Sequence, residues 1–578
     1  MPKKILTGAL IGLLALALFS GPAAVPGPMQ PLPEVTLKET TYKEVVLDPP
    51  PLEAGGHILV SAGDFLPLAG GSADWYKNRG ILRGSKGAVV AAGSLAAEVD
   101  GVPRRLDTAP VLVDDKLYIP LNLALEVLGL PDAGRMGVAP EQESIDIRLP
   151  PLKGRAGLHF RYYPVYDLQA RYDPARGQLA GELLLAYQNP YLVPLRKLYF
   201  NLPANALYGN GAKLIVNRVS INNRPVPFNS RGSSLEVFLP LSLAPRETLF
   251  LALSFITRVQ AGAERLGRTG DTLMAAGWYP ILAPYTGDNW AGVASTPYGD
   301  PYFAGAAYYR VRLAVPAGYL VLATGRETGR WEEGDEAVWT FNSEYPIREF
   351  AFMAGPGLQF TTRQVGTVQL VTVSREEHAA AALEVAGRAL DFFQAIYGPY
   401  PYSYLHLAFV PLDNLAGMEY PGFIIISNRK SYSPATVVHE VAHQWWYNLV
   451  GNDSIHAAWI DEGLAEYSTL LFYRQRDPAL YQAKLAEIGR LAGRTAQPIN
   501  LSLEEYSSEQ AYRQAVYNRG AIFWLELEAV AGTARLQQAL AYVQRYYRYE
   551  IVPPQAMVTI LTYYGKLAAT NFTSYLRN

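Results

Sequence analysis

His439-Glu440-Val441-Ala442-His443, followed by Trp459-Ile460-Asp461-Glu462-Gly463, is the stretch on which the reading of this chain turns. Residues 435–450, ATVVHEVAHQWWYNLV, carry apolar positions at helical spacing, and so do residues 461–475, DEGLAEYSTLLFYRQ. On a helix, positions i and i+4 lie on one face. Both imidazoles therefore reach a single zinc ion, at ~2.0–2.1 Å from each nitrogen. Glu440 stands beside the first histidine and faces the metal's open position. Three protein ligands plus an open fourth position is the arrangement of a catalytic metal site. Glu462 lies 19 residues beyond His443. That interval is long enough for a turn and a returning helix to bring a carboxylate to the same ion.

Composition narrows the field around this motif. The chain has 578 residues, 49% hydrophobic and 18% charged, which is material for several buried cores. Fifty basic and 52 acidic residues leave a net charge of −2 and no polyanion-binding surplus, so nucleic acid is not expected as a partner. With no cysteine, disulfides, thiolate catalysis and cysteine-based metal sites are excluded. Only seven histidines exist, and two of them sit in the motif.

Lys3 and Lys4 precede an uncharged run from Ile5 to Phe19, and small residues follow. Residues 1–24 read as a signal peptide, or as a membrane anchor if uncleaved, which places the protein outside the cytoplasm, secreted or on the cell surface. Residues 25–56 are rich in proline and read as a stiff linker. Residues 57–150 alternate short extended stretches with a short apolar helix, a small α+β unit. Residues 154–373 are mostly short alternating runs separated by Gly, Pro and Asn, which indicates an antiparallel saddle or sandwich. Within them, 259–300 looks like a long irregular insertion. From 374 to 578 the period becomes mixed and then mostly helical. The expected fold class is multidomain α+β.

His439-Glu440-x-x-His443-x-Trp445 with Asp461-Glu462-Gly463 resembles the gluzincin metallopeptidases of the aminopeptidase N type, peptidase family M-one. The resemblance covers 154–578. It implies a β saddle followed by a thermolysin-like catalytic domain, one Zn²⁺ per chain on His439, His443 and Glu462, and Glu440 as general base. Gly417-Met418-Glu419-Tyr420 resembles the family's Gly-x-Met-Glu-Asn loop, which gives Glu419 the substrate's α-amino group, with Tyr420 in place of the family's Asn. Tyr517-Asn518-Arg519-Gly520 resembles the family's Tyr-x-Lys-Gly segment, which makes Tyr517 the hydrogen-bond donor to the oxyanion, with Arg519 in place of Lys. Tyr512 is a supporting neighbour. Glu466, one turn beyond Glu462, is placed either to orient a ligating histidine or to stand at the surface. His456 is taken as structural or exposed.

Three departures from the family pattern count. Gly277-Trp278-Tyr279-Pro280 stands where an aromatic–Pro–Cys–Asp segment is usual. No glutamine assisting the amino-group site is identifiable. Only 61 residues follow Tyr517, so a more open cleft is expected. Residues 57–150 resemble the copper amine oxidase N-terminal-like domain, through Trp75, Val99-Asp100-Gly101 and 117–129. That implies an accessory role and, with the leader, a route to the cell envelope. The function expected is an exported zinc metallopeptidase acting on peptides or proteins, in the first place an aminopeptidase. The alternatives are an endopeptidase or processing protease, and an inactive envelope-binding protein.

Overall fold

Apolar and polar residues alternate in VYDLQARYD and QLAGELLLAYQ, which sends every second side chain to one face. In the computed structural model these are strands β1 (Val165–Asp173) and β2 (Gln178–Gln188), alternately buried and open, paired antiparallel along their length. The structure describes residues 163–577, with breaks at 192, 207–210, 246, 286–288 and 374–376, and separate stretches between residues 30 and 149. Two compact units emerge, one of residues 1–162 with 190–192, the other holding the rest.

The first unit contains a meander of Ser72–Tyr76, Arg79–Arg83, Gly87–Ala91, Ala96–Val99 and Val102–Arg105. A second five-stranded sheet includes His57–Ser61 and Lys116–Pro120, and helix Leu121–Leu128 follows directly. Strands also occupy part of 25–56, the stretch expected as a linker. Leu52–Ala54 pairs with His57–Ser61, and Gln30–Pro31 forms the sheet's edge. Proline is tolerated at a sheet edge, where no ladder donor is required of it, so a proline count alone does not separate linker from edge strand. The leader, residues 1–24, lies outside the described residues.

The second unit begins with an eight-stranded sheet. Its other long strands are β3 (Lys213–Ile221), β4 (Thr248–Arg258), β5 (Tyr308–Pro316), β6 (Arg326–Glu333) and β7 (Glu336–Asn342). The order from the short strand Arg224–Pro225 is β3, β4, β2, β1, β5, β7, β6. All neighbours run antiparallel except β1 and β5. The 259–300 stretch is less irregular than expected. It contains the hairpin Leu266–Thr269 and Thr272–Ala275, which pairs with Phe352–Pro356.

The C-terminal half is built on a five-stranded sheet, β8 (Phe360–Val365), β9 (Val368–Val373), β10 (Tyr404–Val410), β11 (Gly417–Met418) and β12 (Phe423–Ser427), in the order β8-β9-β10-β12-β11. β9, β10 and β12 are parallel. The boundary expected at 373 therefore moves ahead of Phe360. β8 is mostly polar and exposed and β9 is another short strand after it, so nothing in the local sequence marks the change of sheet. Met274, Leu322 and Met353 from the β-domain pack with Val371, Val410, Phe423 and Ile425 in one buried cluster.

Helix α1 (Ala379–Tyr397) connects β9 to β10. The motif helix, α2 (Pro434–Ala442), begins with proline at a position where the missing N–H costs nothing. α3 (Glu462–Arg476) starts on Asp461, whose side chain accepts from the Glu462 amide at 2.8 Å. After α4 (Pro478–Ala492) the chain makes a π-helical turn at Gln514–Arg519, then α5 (Gly520–Ala531), α6 (Thr533–Tyr546) and α7 (Pro554–Tyr564). Gly463 and Gly520 let α3 and α5 touch backbone to backbone: a Cβ on Gly520 would lie 3.2 Å from Gly463 Cα. No described helix is long and apolar enough to cross a membrane.

His406 on β10 is buried, with Nδ1 2.7 Å from the Ala323 carbonyl. Burial pushes its imidazole down to about 4, from an ordinary 6.5. The unfolded chain takes up this proton first as pH falls. Its contribution is intact above pH 6.5 and is lost between 6.5 and 4, by up to about 1.4 kcal/mol per pH unit. Urea midpoints of the full chain are expected to fall over that window, and His406→Gln to flatten the fall without changing the slope above pH 7.

Candidate metal centre

α2 and α3 bring three donor atoms to one point. His439 Nε2 and His443 Nε2 are 3.0 Å apart, and Glu462 Oε2 lies 3.1 Å from the first and 3.2 Å from the second. Ligand atoms on a tetrahedral ion with bonds of ~2.0–2.1 Å stand about 3.3 Å apart, so the triangle fits zinc. Tautomers point the same way. His443 Nδ1 sits 2.9 Å from the Trp446 carbonyl, which can only accept, so Nδ1 carries the proton and Nε2 offers a lone pair. His439 Nδ1 lies 3.4 Å from Glu466 Oε1, a contact too loose for a hydrogen bond but one whose negative charge favours a proton on Nδ1. Two imidazole lone pairs and a carboxylate oxygen then converge on one point. That arrangement calls for a cation.

The electrostatics agree. Burial alone lowers an imidazole pKa, but Glu462 and Glu466 outweigh it and lift His439 to about 10. Burial alone raises a carboxyl, but the two histidines outweigh it and hold Glu462 well below the usual range. Each partner demands the other's charge, and zinc satisfies both demands with the histidines neutral.

A cavity of about 860 Å³ opens beside this triangle and is lined by His439, Glu440, His443, Glu462, Glu419 and Tyr517, among others. All six residues singled out from sequence meet there. Glu440 is buried, and its Oε2 has no hydrogen-bond partner among the described residues. Burial pushes its carboxyl up to about 7, against the pull of the two histidines. Gly417 makes room for it: a Cβ there would fall 2.4 Å from Glu440 Oε1. Glu419 is also buried, and burial holds its carboxyl well above the usual range. Gln444 ties the Glu419 loop to the motif helix, accepting from the Gly422 amide at 2.8 Å.

Tyr517 comes from the π-helical turn, a geometry often found at working sites. Its ring stacks on His439, with centroids 6.0 Å apart, and its hydroxyl donates to Glu462 Oε1. Tyr512 is buried and meets Tyr517 edge to face at 5.7 Å. Glu466 lines the cavity on the far side of His439. His456 does not join the site; it is exposed and sits 2.8 Å from Asp453.

One residue of the site escaped the sequence reading. Asp300 comes from the loop after the 266–275 hairpin. Its carboxylate can approach those of Glu419 and Glu462 so that one oxygen of each lies within 4.8 Å of the others. Arg265 donates to it at 2.9 Å and also touches Met418 Sδ at 3.1 Å. The only signal in the sequence was an acid in a Gly/Pro-rich loop, and such loops carry solvated acids far more often than buried ones.

Comparison with known proteins places these features. Residues 381–574 match the peptidase family M1 domain, and residues 40–131 the copper amine oxidase N-terminal domain. Aminopeptidase M1-B of Oryza sativa subsp. japonica is 26% identical over 34% of this chain and 25% of its own length. Aminopeptidase RNPEPL1 of Homo sapiens is 26% identical over 42% and 33%. Leukotriene A-4 hydrolase of Xenopus laevis is 22% identical over 55% and 56%. The chain thus spans between a quarter and just over half the length of these relatives. Among solved structures, the M1 zinc metallopeptidase of Deinococcus radiodurans shares the fold, with a TM-score of 0.56 at 21% identity over 72% of this chain and 93% of that one. A mutant of that enzyme is known bound to a Tyr-Ser-Ala substrate. In chain order, then, a stretch similar to the copper amine oxidase N-terminal domain is followed by one similar to the peptidase family M1 domain.

Proposed function

We propose that this chain is an exported zinc aminopeptidase, which removes residues one at a time from the free N-terminus of peptides. The observation that carries the reading is a second acidic seat beside the metal triangle. The buried Glu419 and the half-buried Asp300 are a carboxylate pair close to Glu462, which would be committed to the metal. A peptide's α-ammonium is the cation that would relieve that crowding, and it lies two bonds from the carbonyl carbon to be attacked. Relatives named as aminopeptidases and a structural neighbour with a bound tripeptide support the same assignment.

His439, His443 and Glu462 would hold the zinc, which supplies polarisation of the scissile carbonyl and a lowered pKa for water. Glu440, which lines the cavity, takes the proton from the attacking water and returns it to the leaving amine. The Tyr517 hydroxyl transfers its hydrogen bond from Glu462 to the oxyanion as negative charge builds there. Glu419 and Asp300 hold the ammonium, with Arg265 fixing the Asp300 carboxylate from behind. The basic, apolar leader supports export through residues 1–24, and the accessory domain is the part suited to contact with the cell envelope.

Glu440→Gln is expected to lower kcat by about 10²–10⁴-fold while zinc is retained. Asp300→Asn removes one charged partner of the ammonium, and KM for free peptides should rise about 10–100-fold. Both are read by steady-state hydrolysis with zinc content measured in parallel. Product masses from a long peptide decide the mode of cleavage. A ladder from the free form, and none from its N-acetylated twin, is expected. Internal fragments from both forms would instead make the chain an endopeptidase.

A further inference from the structure

Behind the motif helix lies a carboxylate that no step above uses. Glu349 is 4% exposed, and each of its oxygens accepts from a tyrosine of a different segment. Tyr302 donates to Oε2 at 2.7 Å, and Tyr447 donates to Oε1 at 2.6 Å. Tyr302 stands two residues after Asp300. Ser454 Oγ is 2.8 Å from the Asp300 carbonyl and 3.2 Å from that of Tyr302, so this segment is held as one piece. Tyr447 stands next to Trp446, whose carbonyl receives His443 Nδ1. One buried carboxylate therefore ties the loop bearing the acidic seat to the turn that orients a metal ligand.

The turn itself is strained and pinned. Tyr447 has φ 151°, a value rare for a residue with a side chain, and such a conformation persists only where its surroundings over-determine it. The neighbouring Arg348, 1% exposed, donates from Nε to the Tyr447 carbonyl at 2.5 Å. Its other nitrogens donate to the carbonyls of Ala304 at 3.0 Å and Glu550 at 2.8 Å. Gly451 is shaped to this guanidinium: a Cβ there would fall 2.2 Å from Arg348 Cζ. A buried charge is poor value for stability alone, since apolar side chains of like volume serve at least as well. What two directed bonds from one rigid carboxylate add is a fixed distance.

We propose that Glu349 is a positioning residue that sets the spacing between the ammonium seat and the metal seat, through Tyr302 on one side and Tyr447 on the other, with Arg348 bracing the Tyr447 turn. The proposal rests on the aminopeptidase reading and deepens it. An enzyme that counts one residue must hold α-nitrogen and scissile carbonyl at a constant separation, and Glu349 is the group bonded to both supports.

Three variants of the full chain, each lacking one oxygen, test it. Tyr447→Phe should weaken zinc affinity about 10–100-fold, the usual cost of disturbing a support of a ligating histidine, and leave KM unchanged at saturating zinc. Tyr302→Phe should leave zinc affinity unchanged and raise KM for a free tripeptide several-fold more than it lowers kcat. Tyr400→Phe is the control, because its hydroxyl serves the Tyr404 carbonyl away from both supports, and it should change neither. Zinc affinity is read by competition with a chromophoric chelator and needs no turnover. Wild-type zinc affinity in Tyr447→Phe together with wild-type KM in Tyr302→Phe would overturn the proposal, as would changes no larger than those of Tyr400→Phe. A wild-type protein that binds zinc but cleaves no peptide overturns the aminopeptidase reading, and the Tyr302 support falls with it.

Discussion

Four carboxylates, Asp300, Glu419, Glu440 and Glu462, crowd around two imidazoles along the wall of one cavity. Burial raises the cost of each charge, and proximity raises it again. Asp300, Glu419 and Glu440 are all pushed up in pKa, with burial the largest cause in each case. No folded chain keeps such a cluster for its stability. It is tolerable only where cations are to be received, and the proposed function supplies two: a metal ion at the histidines, and an ammonium at the acids that the metal would not use.

The rest of the unit keeps this cluster from relaxing. Helix α2 fixes the two histidines by its period, α3 delivers Glu462 from a capped start, and the Gly463–Gly520 approach brings the Tyr517 turn against α3. The β-domain does more than cover the C-terminal half. It contributes Asp300, the Arg265 that restrains it, and the Arg348–Glu349 pair that braces the turn after the motif helix. The core shared between the two sheets makes these contributions rigid. Preorganisation of this kind favours a transition state because nothing needs to rearrange as charge develops.

What could be read from the sequence depended on whether spacing alone carries position. His439, Glu440 and His443 were legible because helical period is local and unforgiving. Glu462 and Tyr517 needed more, a resemblance that supplied how far the chain returns. Asp300 was out of reach, since an irregular loop has no period and its burial is decided by contacts with residues more than a hundred positions away. Arg348 and Glu349 were silent for the same reason: adjacent opposite charges in a loop ordinarily mean a solvated turn. The boundary near 360 was misplaced because the polar, exposed β8 carries no mark of a new core, and the edge strand Gln30–Pro31 was hidden by its proline.

Anomalous diffraction at the zinc edge from crystals of the wild-type full chain tests the central claim most directly, because three overlapping donor sets compete for an ion here. The account requires a single peak shared by His439, His443 and Glu462, with Glu419 and Asp300 left free for an ammonium. A peak held by Glu419, Glu440 and His443, or by Asp300, Glu419 and Glu462, would contradict it, since the metal would then occupy the seat assigned to the substrate's amine.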